Sequence, residues 1–398
     1  MLMVIIATIL VLGIAVYQAT QGLFSAIVMA ILTTLCAAFA FNYYEPLART
    51  YLYSRQPAYA DGIALVALLF GSLLVLRVLF DWRLRANVIT SAWTDRIGGG
   101  LVGLYTGMIL TGVLMLAIQM FPFGPSVLTY RPYDESLHRD QRLAPFYPDQ
   151  FTLGWMDILS GAALSGERDL GGSHDDLILE LACARNQIEE TYVDGDGQKH
   201  QAHVGRLDAA PDSLAVEGVF VPPDPAWADG VGDDPQMSDE ENRQSKLIVV
   251  RTAVSSSARN ETDDWWRLPA THFRLVTDDG KSHYPLAYLV YWQTTNPQKR
   301  FTTYQEYRNQ FSVLGFQAIA PQLDEQGNPQ LARLAVCRKW VNGPEDLRID
   351  WVYRIAAEAK ADYMAFRRTA RAELPKARDT YPPIRDALER YVPRAARR

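Results

Sequence analysis

Four apolar runs dominate the first third of the chain. LMVIIATILVLGIAVY covers 2–17, GLFSAIVMAILTTLCAAFAF covers 22–41, GIALVALLFGSLLVLRVLF covers 62–80 and IGGGLVGLYTGMILTGVLMLAIQMF covers 97–121. A membrane-crossing helix needs about 20 mostly apolar residues. The last three runs reach that length and the first falls a little short. Four in succession predict a membrane bundle rather than the buried helices of a soluble protein. Only QATQ separates the first two runs, which predicts a tight helical hairpin. No Lys or Arg precedes the first run, which argues against a cleaved signal peptide.

Beyond Pro122 the pattern changes. Residues 124–150 are rich in Tyr, Pro and Arg and suit an extended stalk. FTLGWMDILSGAALS reads as an amphipathic helix that lies on the membrane surface or caps the next domain. LILELACARNQIEE alternates as a strand would, and VDGDGQ supplies a turn. Together these make 151–221 a helix plus strands of a soluble domain. Residues 222–245 form an acidic flexible insert, rich in Pro and Gly. From 246 to 355 short strands alternate with polar turns. KLIVVRTAVSS, HFRLVT, KSHYPL, LARLAVCRKW and LRIDWVYRI are the clearest, with Asp278-Asp279-Gly280 as a hairpin signal. No helix intervenes, so the expected architecture is a β-sandwich. AAEAKADYMAFRRTARAEL has the composition of a helix, giving a basic helical tail over 356–398. The fold class expected is thus a four-helix transmembrane bundle followed by a mainly β, immunoglobulin-like sandwich with helical additions.

Charge sharpens the boundary. Residues 1–123 hold no lysine and ten ionisable acidic or basic side chains. Arg77, Arg83, Arg85 and Arg96 cluster at the connection between the third and fourth runs. Positive loops prefer the cytoplasm. That orientation places both termini outside, although Arg131, Arg139 and Arg142 after the fourth run weigh against it. Asp95, Arg96, Arg77, Trp82 and Trp93 are then membrane-interface residues. The segment 81–96 is a candidate for lying along the inner interface. Cys183 and Cys337 are the only cysteines after the membrane part. An extracytoplasmic location permits a disulfide between them, and two buried thiols fit equally well.

The stretch TDRIGGGLVGLYTGMILTG repeats glycine at Gly99, Gly103 and Gly107. That spacing puts all three on one helix face, where another helix backbone can approach closely. The residues leave open whether the face packs within the monomer or builds a homo-oligomer through the fourth helix. Asp95 stands where a carboxylate neutralises the positive end of the helix dipole. This stretch, the Gln21-Gly22-Leu23-Phe24 corner and the apolar third run resemble the colicin V production protein (CvpA) family of bacterial membrane proteins. The resemblance covers 1–123. It departs from the family at Gln21-Gly22 and Thr106-Gly107, where family members often carry Arg-Gly. It implies an inner-membrane location and a link to toxin export, envelope integrity or biofilm growth. Some relatives carry a trypsin-like protease outside the membrane. The 246–355 region also has a generic resemblance to bacterial extracellular immunoglobulin-like domains.

Motifs for chemistry are sparse. There is no Gly-x-Ser-x-Gly elbow, Walker loop or Rossmann fingerprint. His200 and His203 lack the helical Glu of a zinc motif, and Asp194 and Asp196 lack the ligand series of a calcium loop. His174-Asp175-Asp176 has the chemistry of a base or ligand, but a helix cap by Ser173 or Asp175 explains it more simply. Trp265-Trp266 reads as a core or edge pair. The expectation is therefore no catalytic residue, no metal and no cofactor. Expected partners are the lipid bilayer and an unidentified envelope protein or polymer, with no nucleic acid. The alternatives are a transport or toxin-export component and a membrane-tethered hydrolase of unrecognised type.

Overall fold

The computed structural model describes residues 2–83, 91–124, 126–134, 137, 139, 147–162, 174–186, 189–193, 199–203, 209–221, 233–234, 236–258, 265–290, 322–323, 329–330, 335–339 and 346–378. The chain divides into two compact units. One is Met1–Asp134 with Arg139–Arg185; the other is Glu135–His138 with Asn186–Arg398.

The first unit is helical. Helices α1 (Leu2–Gln21), α2 (Leu23–Leu47), α3 (Pro57–Arg83) and α4 (Ala92–Gln119) are each long and apolar enough to cross a membrane. Gly22 alone joins α1 to α2, at a φ of 90° that favours glycine. Pro46 has no N–H to give α2, and the chain then widens into a π-turn at Ala48–Leu52. Pro57 opens α3, where its missing N–H costs nothing. Ser91 caps α4 by accepting from the Thr94 N–H at 3.5 Å. The most enclosed of the four is α4, and buried side chains of α2, α3 and α4 form one core. Ile9, Val16, Leu74 and Val78 are all more than half exposed, a surface that suits acyl chains and not water.

Two more helices belong to this unit, α5 (Pro148–Ala162) and α6 (Leu177–Ala184). Here the structure corrects the sequence reading twice. Leu177–Ala184 is a helix, not a strand: Asp176 caps it by accepting from Leu179 N–H at 3.0 Å, and Leu177, Ile178 and Leu181 bury one helical face in the bundle core. The cap is therefore Asp176 rather than Ser173 or Asp175. The stalk is likewise corrected in its described part. Val127, Tyr130, Tyr133 and Asp149 are buried within the helical unit, because their rings and polar groups find partners there.

The second unit is mainly β. One antiparallel sheet has the order β3 (Leu214–Phe220), β4 (Ser245–Ser255), β12 (Asp346–Ala356), β8 (Ala287–Val290). Another has the order β14 (Ala370–Glu373), β13 (Ala361–Phe366), β6 (Phe273–Thr277), β7 (Ser282–His283). Two-stranded ladders pair β1 (Glu189–Val193) with β2 (Lys199–His203), β5 (Trp265–Pro269) with β11 (Ala335–Lys339), and β9 (Gln322–Leu323) with β10 (Pro329–Gln330). The long strands β4 and β12 pair from Ser245↔Ala356 to Ser255↔Asp346. Alternate residues of β12, from Leu347 through Ile349, Trp351 and Tyr353 to Ile355, enter a core shared with Phe273, Leu275, Met364 and Phe366 of the other sheet. Phe273 lies 4.4 Å from the Trp351 ring and 4.5 Å from the Phe366 ring. The Asp278-Asp279-Gly280 hairpin forms as expected, with Gly280 at φ 80°.

Two further expectations are corrected in this unit. The segment taken for a helical tail is the hairpin β13–β14. Met364 and Phe366 face the core while Tyr363 and Ala365 face the opposite side, a period of two. Pairing with β6 overrides the helical composition. The insert 222–245 is ordered in its described part: Ser238 and Glu241 form a reciprocal capping box on α7 (Asp239–Arg243), and Asp234 and Asn242 are buried. Residues 222–232 and 379–398 lie outside the described residues.

Candidate functional site

The glycine face of α4 is filled by α1 of the same chain. A Cβ on Gly99 would stand 3.0 Å from Gln18 O, and one on Gly103 would stand 2.8 Å from Ala15 Cα. On Gly107 it would stand 2.9 Å from Val11 O. The three glycines thus let α1 lie directly against α4, in the manner of small-residue faces in membranes. At one end of this seam Asp95 joins two helices. It lies in the first turn of α4, and its Oδ1 accepts from Leu23 N–H at 3.4 Å, the first residue of α2. One carboxylate therefore serves the positive ends of both helices. Arg77 donates to Asp81 at 3.0 Å and to Ser25 at 3.4 Å, so it stays near the same end. Trp82 and Trp93 are 69% and 78% exposed, as interface aromatics would be. Arg96 is exposed one residue beyond Asp95.

The opposite end of the bundle carries polar groups that the sequence reading did not bring together. Gln119 ends α4 and is fully buried. Its amide donates to Asp149 Oδ2 at 3.3 Å and accepts from Arg185 at 3.4 Å. Tyr130 donates to the same Asp149 oxygen at 2.6 Å. Burial and the Asp149 carboxylate push the Tyr130 hydroxyl far above its ordinary range, so it stays a donor. Arg185 also donates to Leu181 O, closing α6. Nearby in the same unit His174 lies between two carboxylates, with Nδ1 2.6 Å from Glu180 and Nε2 2.9 Å from Glu45. Burial alone would lower its pKa; the two carboxylates outweigh that and raise it to about 9. The imidazolium is thus a charged bolt between the end of α2 and the start of α6. Tyr133 donates to Asp176, and Tyr53 donates to Asp61 at 2.8 Å.

Most of these residues carried a faint signal. Gln119 is a lone amide at the end of an apolar run, and Tyr130 and Tyr133 lie in the aromatic segment after it. What the sequence hid is that α5 and α6 come back to meet them. Of the remaining candidates, Trp266 is buried in the sandwich core, and Cys183 is buried in α6. The side chains of Cys337, His200, His203 and Trp265 lie outside the described residues, and with Cys337 so does the Cys183–Cys337 pairing. Among the described residues no cluster of His, Cys, Asp and Glu is arranged to hold a metal ion. In the β unit Arg251 makes two bonds to buried Asp350, at 2.9 and 3.0 Å, and its guanidinium lies 5.1 Å from the Phe220 ring. That is the geometry of a strand-locking pair.

Residues 4–137 match the family model described as Colicin V production protein. The match takes in α1–α4 and the segment after α4, and stops before α5. The four candidate spans and this match make the chain a multi-pass membrane protein. No curated protein and no solved structure matches the chain.

Proposed function

We propose that this chain is a non-enzymatic inner-membrane protein of the bacterial envelope. In this reading the bundle anchors and the β unit, held outside the cytoplasm, engages an envelope protein or polymer in envelope maintenance or secretion. One observation carries the choice of anchor over conduit. The acidic and basic residues of the four spans all lie near helix ends, and Glu45, Asp61, Arg77 and Asp95 are each engaged in contacts that join helices or close turns. Transport routes usually place such groups along the middle of the membrane. The orientation rests on the arginines flanking the α3–α4 connection.

The test is the side on which the β unit lies. Ser257 is exposed in a turn after β4 and takes a single cysteine in a variant lacking Cys36, Cys183 and Cys337. Intact cells with a permeabilised outer membrane are treated with an impermeant maleimide. Labelling at Ser257→Cys is expected. Labelling only after lysis would reverse the topology and direct the search to a cytoplasmic partner.

A further inference from the structure

We infer that α5 is a fifth membrane-embedded helix, one that enters the hydrocarbon layer beside α4 and does not cross it. This rests on the reading that α1–α4 span the bilayer. Depth comes first. The Tyr105 ring makes edge contacts with Phe151 at 5.9 Å and with Trp155 at 5.6 Å. Tyr105 is in the middle of α4, which runs from Ala92 to Gln119. Thr152 donates to the carbonyls of Met108 and Ile109, at 3.3 and 3.4 Å. A Cβ on Gly112 would collide with Pro148 O and the Thr152 hydroxyl, so this glycine is what lets α5 lie against α4. Hence α5 starts level with Gly112, about two turns inside the end of α4, and its own middle residue, Trp155, is level with Tyr105 at the midpoint of α4.

Length and return come next. The 15 residues of α5 extend only about 22 Å, short of the ~30 Å apolar layer. The chain on either side of α5 returns to one residue. Asp149, at its start, and Arg185, closing α6, both bond to Gln119. A helix that crossed the membrane would have left Arg185 on the far side. The exposed face of α5 carries Gly154, Asp157 and Ile158, with Ile158 63% exposed. At the depth fixed by Tyr105 Gly154 and Ile158 continue the apolar surface of the spans, and acyl chains cover them; Asp157 is the one acidic or basic side chain of α5 beyond its first turn.

Spin labels on single cysteines test this in the cysteine-free full-length protein, reconstituted in nanodiscs. Gly154→Cys and Ile158→Cys report α5. A Cβ at Gly154 meets nothing within 4 Å, so the label fits. Leu74→Cys, 67% exposed on α3, reports a span, and Ser257→Cys reports water. Molecular oxygen, which concentrates in lipid, is expected to relax both α5 labels at least three times more than a water-soluble nickel chelate, as at Leu74. Chelate accessibility equal to that at Ser257 would overturn the inference. So would labels shielded from both reagents, because protein would then cover the face. Loss of the lipid signature at Leu74 itself would instead overturn the membrane reading beneath it.

Discussion

Gly103 offers the sharpest test of how the bundle is held together. A methyl group there would come 2.7 Å from Gln18 Cβ and 2.8 Å from Ala15 Cα. The second of these is backbone, so α1 as a whole must move away. Gly71 in α3 is the matched control, because a Cβ there meets nothing within 4 Å. Both changes gain the same helix propensity, up to about 1 kcal/mol for Gly→Ala. That gain cancels in the comparison. What remains is overpacking, about 1–3 kcal/mol. Reversible unfolding in mixed micelles, followed by circular dichroism as the mole fraction of dodecyl sulfate rises, measures it. Gly103→Ala should unfold at lower dodecyl sulfate than Gly71→Ala by a shift equivalent to that amount. Gly103→Leu, with three more carbons, should fail to accumulate in the membrane. Equal midpoints for the two alanine variants would refute the reasoning, since the seam would then not be made by backbone approach.

The other expected outcomes concern the two polar ends. Asp95→Asn keeps an acceptor for Leu23 N–H and should cost little, whereas Asp95→Ala should cost about 1 kcal/mol in the same unfolding assay; equal losses would mean that the charge, not the bond, matters. The His174 pKa is raised to about 9 in the folded state, above an unfolded value of about 6.5. Its stabilisation is therefore fully present below about pH 6.5 and is lost as pH rises through about 9, a change on the order of 3 kcal/mol. His174→Gln should flatten that part of the stability–pH curve, and an unchanged slope would remove the imidazolium from the account. Asp149→Ala should destabilise the helical unit by about 1–3 kcal/mol, because Tyr130 and Gln119 lose a buried acceptor. Asp149→Asn, which retains an oxygen, should recover part of that; identical unfolding of the alanine variant and the parent would show the network to be dispensable.

The four spans were legible because a bilayer demands long uninterrupted apolar runs, and nothing else in the chain imitates them. The glycine spacing was legible for the same reason, since one face of α4 must be small wherever a backbone meets it. Elsewhere local pattern ran out. LILELACA is too short for a period of two to be told from one of 3.6, and the choice was made by Asp176 capping the helix and by the bundle core receiving Leu177, Ile178 and Leu181. Three capping residues within four positions, Ser173, Asp175 and Asp176, made the capping position ambiguous. The hairpin β13–β14 was hidden by its turn. Arg367 and Arg368 adopt φ of 49° and 66°, where glycine or asparagine is usual. The alternation of Met364 and Phe366 was masked by alanines that fit either structure. The amphipathic pattern of α5 was visible, but it reads the same whether the helix lies on a surface or against Gly112. Contacts more than forty residues distant, such as Thr152 with Met108, made that choice.

The folded helical unit also constrains topology independently of charge. Leu2 N–H donates to the Thr129 hydroxyl and Met3 N–H to Leu128 O, each at 3.2 Å. The start of α1 and the segment after α4 therefore share one membrane face, as four crossings require. The chain finally leaves this unit at Arg185, bonded to Gln119 at the end of α4. An embedded α5 that crossed the bilayer would break this parity; a helix that enters and returns keeps it. A reporter fused before Met1 and the label at Ser257 should accordingly lie on the same face, whichever face that is. Agreement in the cytoplasm would overturn the orientation argued from the arginines and leave the re-entrant α5 standing. Reports from opposite faces would do the reverse of what the contacts at Gln119 demand, and α5 would have to be counted as a fifth crossing.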